Sequence, residues 1–353
     1  MKKSLRKIAI LTMLVALIST TVLGCGRKEI DHDAVLSTVN GDEITLGLAN
    51  FYARLIQGHE EMNHMFSPWA GEDPNPVDAW ADNPMTGISR EVEIKDFILE
   101  YLQGMFLKLQ NADDFGVVIS PEDRELIAAA AAQFVEQNPD DVVTAVSGQV
   151  EIIELFLELM TINERMIVAM GAEIDEEVSE AESVRRAADV VFISFTNPGE
   201  GGAAEPMSEI EMAMVEAQAQ LILDGTDPSD NLETFGEIGN VFPVTFGAES
   251  AEFDPVFLDA LNALTEVGQN TGIVTTDTGI FIGQLSSLLD EEATNAQIEQ
   301  ILQGRRDERV DELMGQWRAA ATITEYTELW EQVSFVDLGI EFYVPGVTEE
   351  DEE

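Results

Sequence analysis

Between Ser89 and Met170 the chain carries apolar residues at helical spacing with no convincing strand, and this stretch constrains the fold more than any other feature. A helix is expected from about Ser89 to Ala112, with Val92, Ile94, Phe97, Ile98, Tyr101, Leu102, Met105 and Leu109 facing inward. Ser120-Pro121-Glu122-Asp123 is a start signal for a second helix: a hydroxyl cap, a proline in the first turn, and acids near the positive end of the helix dipole. A third helix is expected from about Gln149 to Met170, burying Ile152, Leu155, Phe156, Leu159, Met160 and Met166. Such a run must bury its stripes against one another, so it predicts a helical domain.

Ahead of it, Ala34 to Glu43 reads as a strand that ends in the Asn40-Gly41 turn. Thr45 can cap a helix from about Leu46 to Ile56, with Leu48, Phe51, Tyr52 and Leu55 as its stripe. Gly58 to Gly87, with prolines at 68, 74, 76 and 84, reads as a long loop.

The pattern changes after Asp175–Arg186. Ala188 to Phe195 is strand text, and Asn197–Pro206 is rich in glycine and proline. Helices are expected near 208–223, 231–237 and 255–264, and strands near 272–275 and 280–285. One sheet packed by helices accommodates this order. Helical text returns from about Asn295 to Ala321, followed by Tyr326–Trp330 and a strand-like run, Val333–Val336. The expectation is therefore α+β: a discontinuous, mainly helical domain interrupted by an α+β module.

The N-terminus reads as an address. Lys2, Lys3, Arg6 and Lys7 precede an apolar run from Ile8 to Leu23, and then Val22-Leu23-Gly24-Cys25. The run falls short of the roughly 20 apolar residues a membrane-spanning helix needs. It resembles the lipobox of bacterial lipoproteins, which implies removal of residues 1–24 and lipidation of Cys25 on the outer face of the cell membrane, with 25–33 as a tether. Cys25 is the only cysteine among 353 residues, so once lipidated it leaves no thiol for a disulfide or a thiolate metal site.

Loss of four basic residues would take the count from 18 to 14 against 68 acids, a net charge of 14 − 68 = −54. That field opposes nucleic-acid binding and electrostatic docking on anionic lipid. With 45% hydrophobic residues the chain is nevertheless a folding sequence rather than a disordered acidic one.

Val39-Asn40-Gly41-Asp42-Glu43-Ile44-Thr45-Leu46, followed by Ala49-Asn50-Phe51-Tyr52, resembles the opening strand and helix of the PrsA and SurA type of extracytoplasmic foldase. In that family a helical chaperone domain is interrupted by a parvulin-like peptidyl-prolyl isomerase domain. Ala188 to Ser194 is similar to the first parvulin strand, Phe253 to Ala260 to its Met/Phe helix, and Gly279-Ile280-Phe281-Ile282 to its closing strand. The resemblance implies a chaperone domain over 34–184 and 290–345, a parvulin-like domain over 185–289 and an acidic tail over 346–353. It also implies unfolded or newly exported polypeptides as partners, and no cofactor.

Two departures bear on catalysis. Val190 and Phe281 stand where the family has histidines, and the Gly-Gly-Asp-Leu-Gly turn is missing from Phe235–Phe246. The resemblance then implies a degenerate isomerase domain that still binds extended peptide, with Phe253, Phe257, Phe281, Val190 and Phe192 as the binding candidates and no assigned catalytic residue. The alternative is a solute-binding lipoprotein serving a transporter.

Other motifs fail on chemistry. His59 and His64 are five apart, where a zinc-protease helix needs four, and no metal is expected there. His32 lies in the tether, leaving no base for a Ser-His-Asp triad. Acid pairs such as Glu60/Glu61 and Asp175/Glu176 read as solvated surface. Gly199–Gly202 lacks the Lys-Ser/Thr of a phosphate loop.

Overall fold

The computed structural model describes residues 18–19, 30–67, 75–81, 87–198, 204–225, 239–337 and 341–342. Cys25, the 231–237 helix, the 346–353 tail and Gly199–Gly202 lie outside them. The chain is α+β and divides into two compact units, one made of 1–173 with 308–353 and the other of 174–307. All strand pairing among the described residues is antiparallel.

The first unit contains a hairpin, β1 (Val35–Val39) and β2 (Asp42–Thr45), where a single strand was expected. Asn40 (φ 53°) and Gly41 (φ 96°) form its two-residue turn, and both need positive φ. Gln110 braces this turn, donating to the Val39 carbonyl and to Asp42 while accepting from Asn40.

Helix α1 (Leu46–Met65) starts at Thr45, whose hydroxyl accepts from the Leu48 amide, and runs well past Ile56 into the expected loop. His59 and His64 therefore sit on a helix. Next come a 3₁₀ turn at Pro76–Trp80, α2 (Arg90–Gln110), α3 (Pro121–Gln137), α4 (Asp140–Ala145) and α5 (Val150–Met170). The Ser120 start signal forms a reciprocal capping box with Asp123. On α2, Ile94, Ile98, Leu102 and Met105 are buried, but Val92, Phe97 and Leu109 are exposed. The apolar face of α2 is wider than the stripe its neighbours cover.

In the core of this unit, Phe51 meets Phe134 and Phe156 edge-on, at ring distances of 5.7 and 5.4 Å.

The second unit is built on β3 (Arg186–Ser194). Its other elements are α6 (Glu209–Gly225), β4 (Asn240–Phe246), α7 (Pro255–Asn262), β5 (Val274–Thr275) and β6 (Gly279–Ser287). The sheet order is β4-β3-β6-β5. Strand alternation assigns β3 to two faces. Val191, Ile193 and Phe195 pack with Ala219, Met212 and Val215, on the side of α6. Ala188 and Val190 pack with Phe257 and Leu261, on the side of α7.

Helix α8 (Glu291–Ala320) leads back to the first unit, where β7 (Ile323–Glu325) pairs with β1. Val333–Val336 is not a strand. Val333 and Phe335 are buried, and side chains rather than a neighbouring strand take the carbonyls there: Lys95 donates to those of Trp330 and Val333, Arg54 to that of Ser334 and Gln57 to that of Phe335.

Candidate functional site

The five residues selected from the sequence fall on one face of the second unit's sheet, on the helix above it or, for Phe253, just before that helix's cap. Cross-strand register places Phe192 opposite Phe281, and Val190 opposite Gly283 on one side and Phe242 on the other. Residues two apart share a face, so Phe192, Val190, Phe281 and Phe242 all project toward the α7 side.

Above them, Asp254 caps α7 by accepting from the Val256 amide, with Pro255 in the first turn. That start directs Phe257 onto Phe281, with stacked rings 4.8 Å apart. Phe281 in turn lies 4.7 Å from Phe192, and Phe253 meets Phe257 edge-on at 6.1 Å. The four rings form one continuous series.

Gly283 makes this close approach possible. A Cβ there would collide with a Leu261 methyl and lie 3.3 Å from the Phe257 ring. At its other end α7 is held by Arg186, whose guanidinium donates to the carbonyls of Leu261, Asn262 and Leu264 and lies 5.2 Å from the Phe246 ring centre. A cation serves the negative end of a helix well.

The five candidates are not equivalent. Phe257 and Val190 are fully buried and act as core, whereas Phe192, Phe253 and Phe281 are half-buried. Phe242, which the sequence pattern did not single out, is 40% exposed beside Val190 on edge strand β4. Its signal was available in strand alternation, had β4 been recognised as a strand.

This face offers apolar contact and little chemistry. At the two positions that resemble the family's histidines stand an aliphatic side chain and a phenyl ring. The nearby Thr271 hydroxyl is committed to backbone, accepting from the Gly283 amide and donating to the Gly272 carbonyl.

The three histidines have structural surroundings of their own. His32 shares a 2.8 Å hydrogen bond with the Ser147 hydroxyl, so it is fixed rather than free in a tether. His59 bonds to Asn63 at the next turn of α1, and His64 sits in the last turn of the same helix. Among the described residues no group of three or more His, Cys, Asp or Glu is placed to hold a metal, and no helix is long and apolar enough to cross a membrane.

A cleft of about 550 Å³ lies in the first unit, between α1 and α2. Tyr52, on its wall, stacks on Tyr101 at 5.4 Å, and Tyr101 stacks on Phe97 at 5.7 Å. Burial pushes both tyrosine hydroxyls up from their ordinary pKa, so both stay neutral phenols. Helical spacing counts Tyr52 and Phe97 as core residues, and for that reason it gives no sign of the cleft.

No protein-family model and no curated protein matches the chain. Solved structures do. A SurA-like chaperone of Campylobacter jejuni is 10% identical, with 83% of this chain and 99% of that one covered at a TM-score of 0.28. The peptidylprolyl isomerase PrsA of Bacillus anthracis is 14% identical, covering 65% and 100% at 0.26. The foldase protein PrsA of Streptococcus pneumoniae is 15% identical, covering 85% and 99% at 0.26.

Proposed function

We propose that the protein is an extracytoplasmic folding factor, tethered through a lipid on Cys25, that holds unfolded exported polypeptides on the aromatic face of its 174–307 unit. The observation that carries this reading is the ring series Phe192–Phe281–Phe257–Phe253, with Phe242 exposed beside it. A face of packed aromatic rings binds apolar side chains with little regard to sequence, as a holding chaperone requires. In this reading residues 185–289 are a parvulin-like domain, and 34–184 with 290–345 a chaperone domain.

The same face argues for weak or absent isomerase catalysis. Rotation about X-Pro meets a barrier whose transition state must be bound better than the ground state, by a twisted-amide cradle with a polar group near it. Val190 and Phe281 provide the apolar part only. The rival, a solute-binding lipoprotein, is disfavoured by sheet topology. Doubly wound lobes are built on parallel strands, and every pairing among the described residues is antiparallel.

Suppression of aggregation of an unfolded model protein tests the reading, run beside a proline-isomerisation assay on a tetrapeptide. The soluble form lacking residues 1–25 should suppress aggregation without accelerating isomerisation, and Phe192→Ala with Phe242→Ala should weaken suppression several-fold. Absence of suppression would overturn the assignment.

A further inference from the structure

We propose that the cleft between α1 and α2 is a second polypeptide site, selective for an apolar side chain flanked by lysine or arginine. It rests on the folding-factor reading for the class of ligand, but the selectivity comes from the cleft.

Its floor is apolar: Leu55 and Ile56 from α1, Ile94 and Phe97 from α2. Phe97 is 50% exposed, although its ring is already ordered by stacking on Tyr101. An ordered, half-exposed ring binds a partner side chain without first losing its own rotational freedom. The volume, about 550 Å³, accommodates one large side chain and adjoining backbone.

The rim supplies the charge preference. Glu60 on α1 and Glu93 on α2 are bridged by a single cation, Arg90, at 3.4 and 3.5 Å. Both contacts are long and solvent-exposed, and such pairs contribute little. Arg90 thus marks where a guanidinium or ammonium fits between two carboxylates above an apolar floor, and it is held weakly enough to be exchanged. An incoming basic side chain takes that place while its apolar neighbour enters the cleft. With a formal net charge of −50, the whole chain also draws basic segments toward this rim and repels acidic ones.

Fluorescence anisotropy on the detergent-solubilised full chain tests this, using a labelled peptide of about twelve residues whose two phenylalanines are each flanked by lysines, and a counterpart with glutamates in place of the lysines. The lysine peptide should bind at least about 10-fold tighter at low salt. Glu60→Gln with Glu93→Gln should weaken it about 3- to 10-fold. Phe97→Ala should weaken it too, and Arg90→Gln should tighten it.

The control is Glu125→Gln with Glu136→Gln, two exposed carboxylates on α3 that change net charge equally. Its effect should stay under about 2-fold. Equal losses in the two double variants would overturn the proposal in favour of a bulk charge effect, as would indifference to Phe97→Ala. Aggregation suppression that survives while neither peptide binds would overturn this site and leave the folding-factor reading standing; loss of suppression in the unmodified chain would instead remove that reading.

Discussion

Replacing Gln57 with leucine should destabilise the first unit by about 3–5 kcal/mol. Gln57 is fully buried on α1 between a buried cation and a buried anion, Arg54 and Glu61. Its amide oxygen accepts from Arg54 at 2.5 Å, and its nitrogen donates to Glu61 at 2.7 Å and to the Phe335 carbonyl at 2.9 Å. Two of these bonds involve charged groups, contributing about 1.5–3 kcal/mol each, and the third about 1, so roughly 4–7 kcal/mol is at stake. Leucine recovers about 1–2 kcal/mol through its own apolar surface. Urea unfolding followed by tryptophan fluorescence reads this unit selectively, because all four tryptophans, 69, 80, 317 and 330, belong to it. With a slope of about 2–3 kcal/mol per molar, the midpoint should fall by about 1–2 M. Gln133→Leu, exposed on α3, should change stability by less than about 0.5 kcal/mol. A loss under about 1 kcal/mol in Gln57→Leu would refute the view that these side-chain donors hold the 333–335 segment in place.

Placing histidines at the two positions in the double variant Val190→His/Phe281→His should not create an isomerase. Val190 is fully buried, so an imidazole there loses hydration without a designed partner, and calorimetry should show the second unit destabilised by about 2–4 kcal/mol; tetrapeptide isomerisation above background would refute the view that this face supplies apolar contact without catalytic chemistry. Asp123→Asn should flatten the acid limb of the first unit's stability curve. The hydrogen bond from Arg165 holds the Asp123 carboxyl well below the usual carboxylate range, with the Ser120 bonds adding to it. A depressed folded pKa stabilises above the unfolded value, near 4, and that contribution is lost as pH falls below it. Midpoints measured between about pH 6 and 2 should therefore fall less steeply in Asp123→Asn, and identical slopes would refute the assignment.

The sequence carried the helices and the hairpin turn legibly, because both have local causes. Ser120-Pro121 and its capping acid, the Asn40-Gly41 pair and the 3.6-residue stripes act within a few residues. What it concealed depends on distant partners. Arg54, Gln57 and Glu61 are polar residues at helical spacing, which reads as a solvated stripe, yet all three are buried. Their partners at Ser334 and Phe335 are about 280 residues away, and Trp80 is 19 residues from Glu61. Val333–Val336 fails the other way: its β-branched and aromatic residues read as a strand, but side-chain donors occupy the carbonyls a ladder would use. For the aromatic face, the two strands bearing Phe192 and Phe281 could be recognised from their own residues, but only the fold separates Phe257, which is core, from Phe242, which is surface.

The openness of that face follows from lengths. Strand β3 has nine residues and spans about 30 Å. On one face the 17 residues of α6 reach about 26 Å, enough to roof it. On the other, the eight residues of α7 reach only about 12 Å. Helix α7 is anchored to the sheet at its C-terminal end by Arg186, and its residues Phe257 and Leu261 are committed to Phe281 and Gly283. It cannot slide to cover Phe192 or Phe242 without leaving those contacts. The apolar surface beside α7 is thus a consequence of a short, anchored helix over a long strand, and it does not depend on any catalytic side chain. Apolar contact and acid–base chemistry are therefore separable in such a unit: the exposed rings depend on the helix and strand lengths, not on the side chains at 190 and 281 alone.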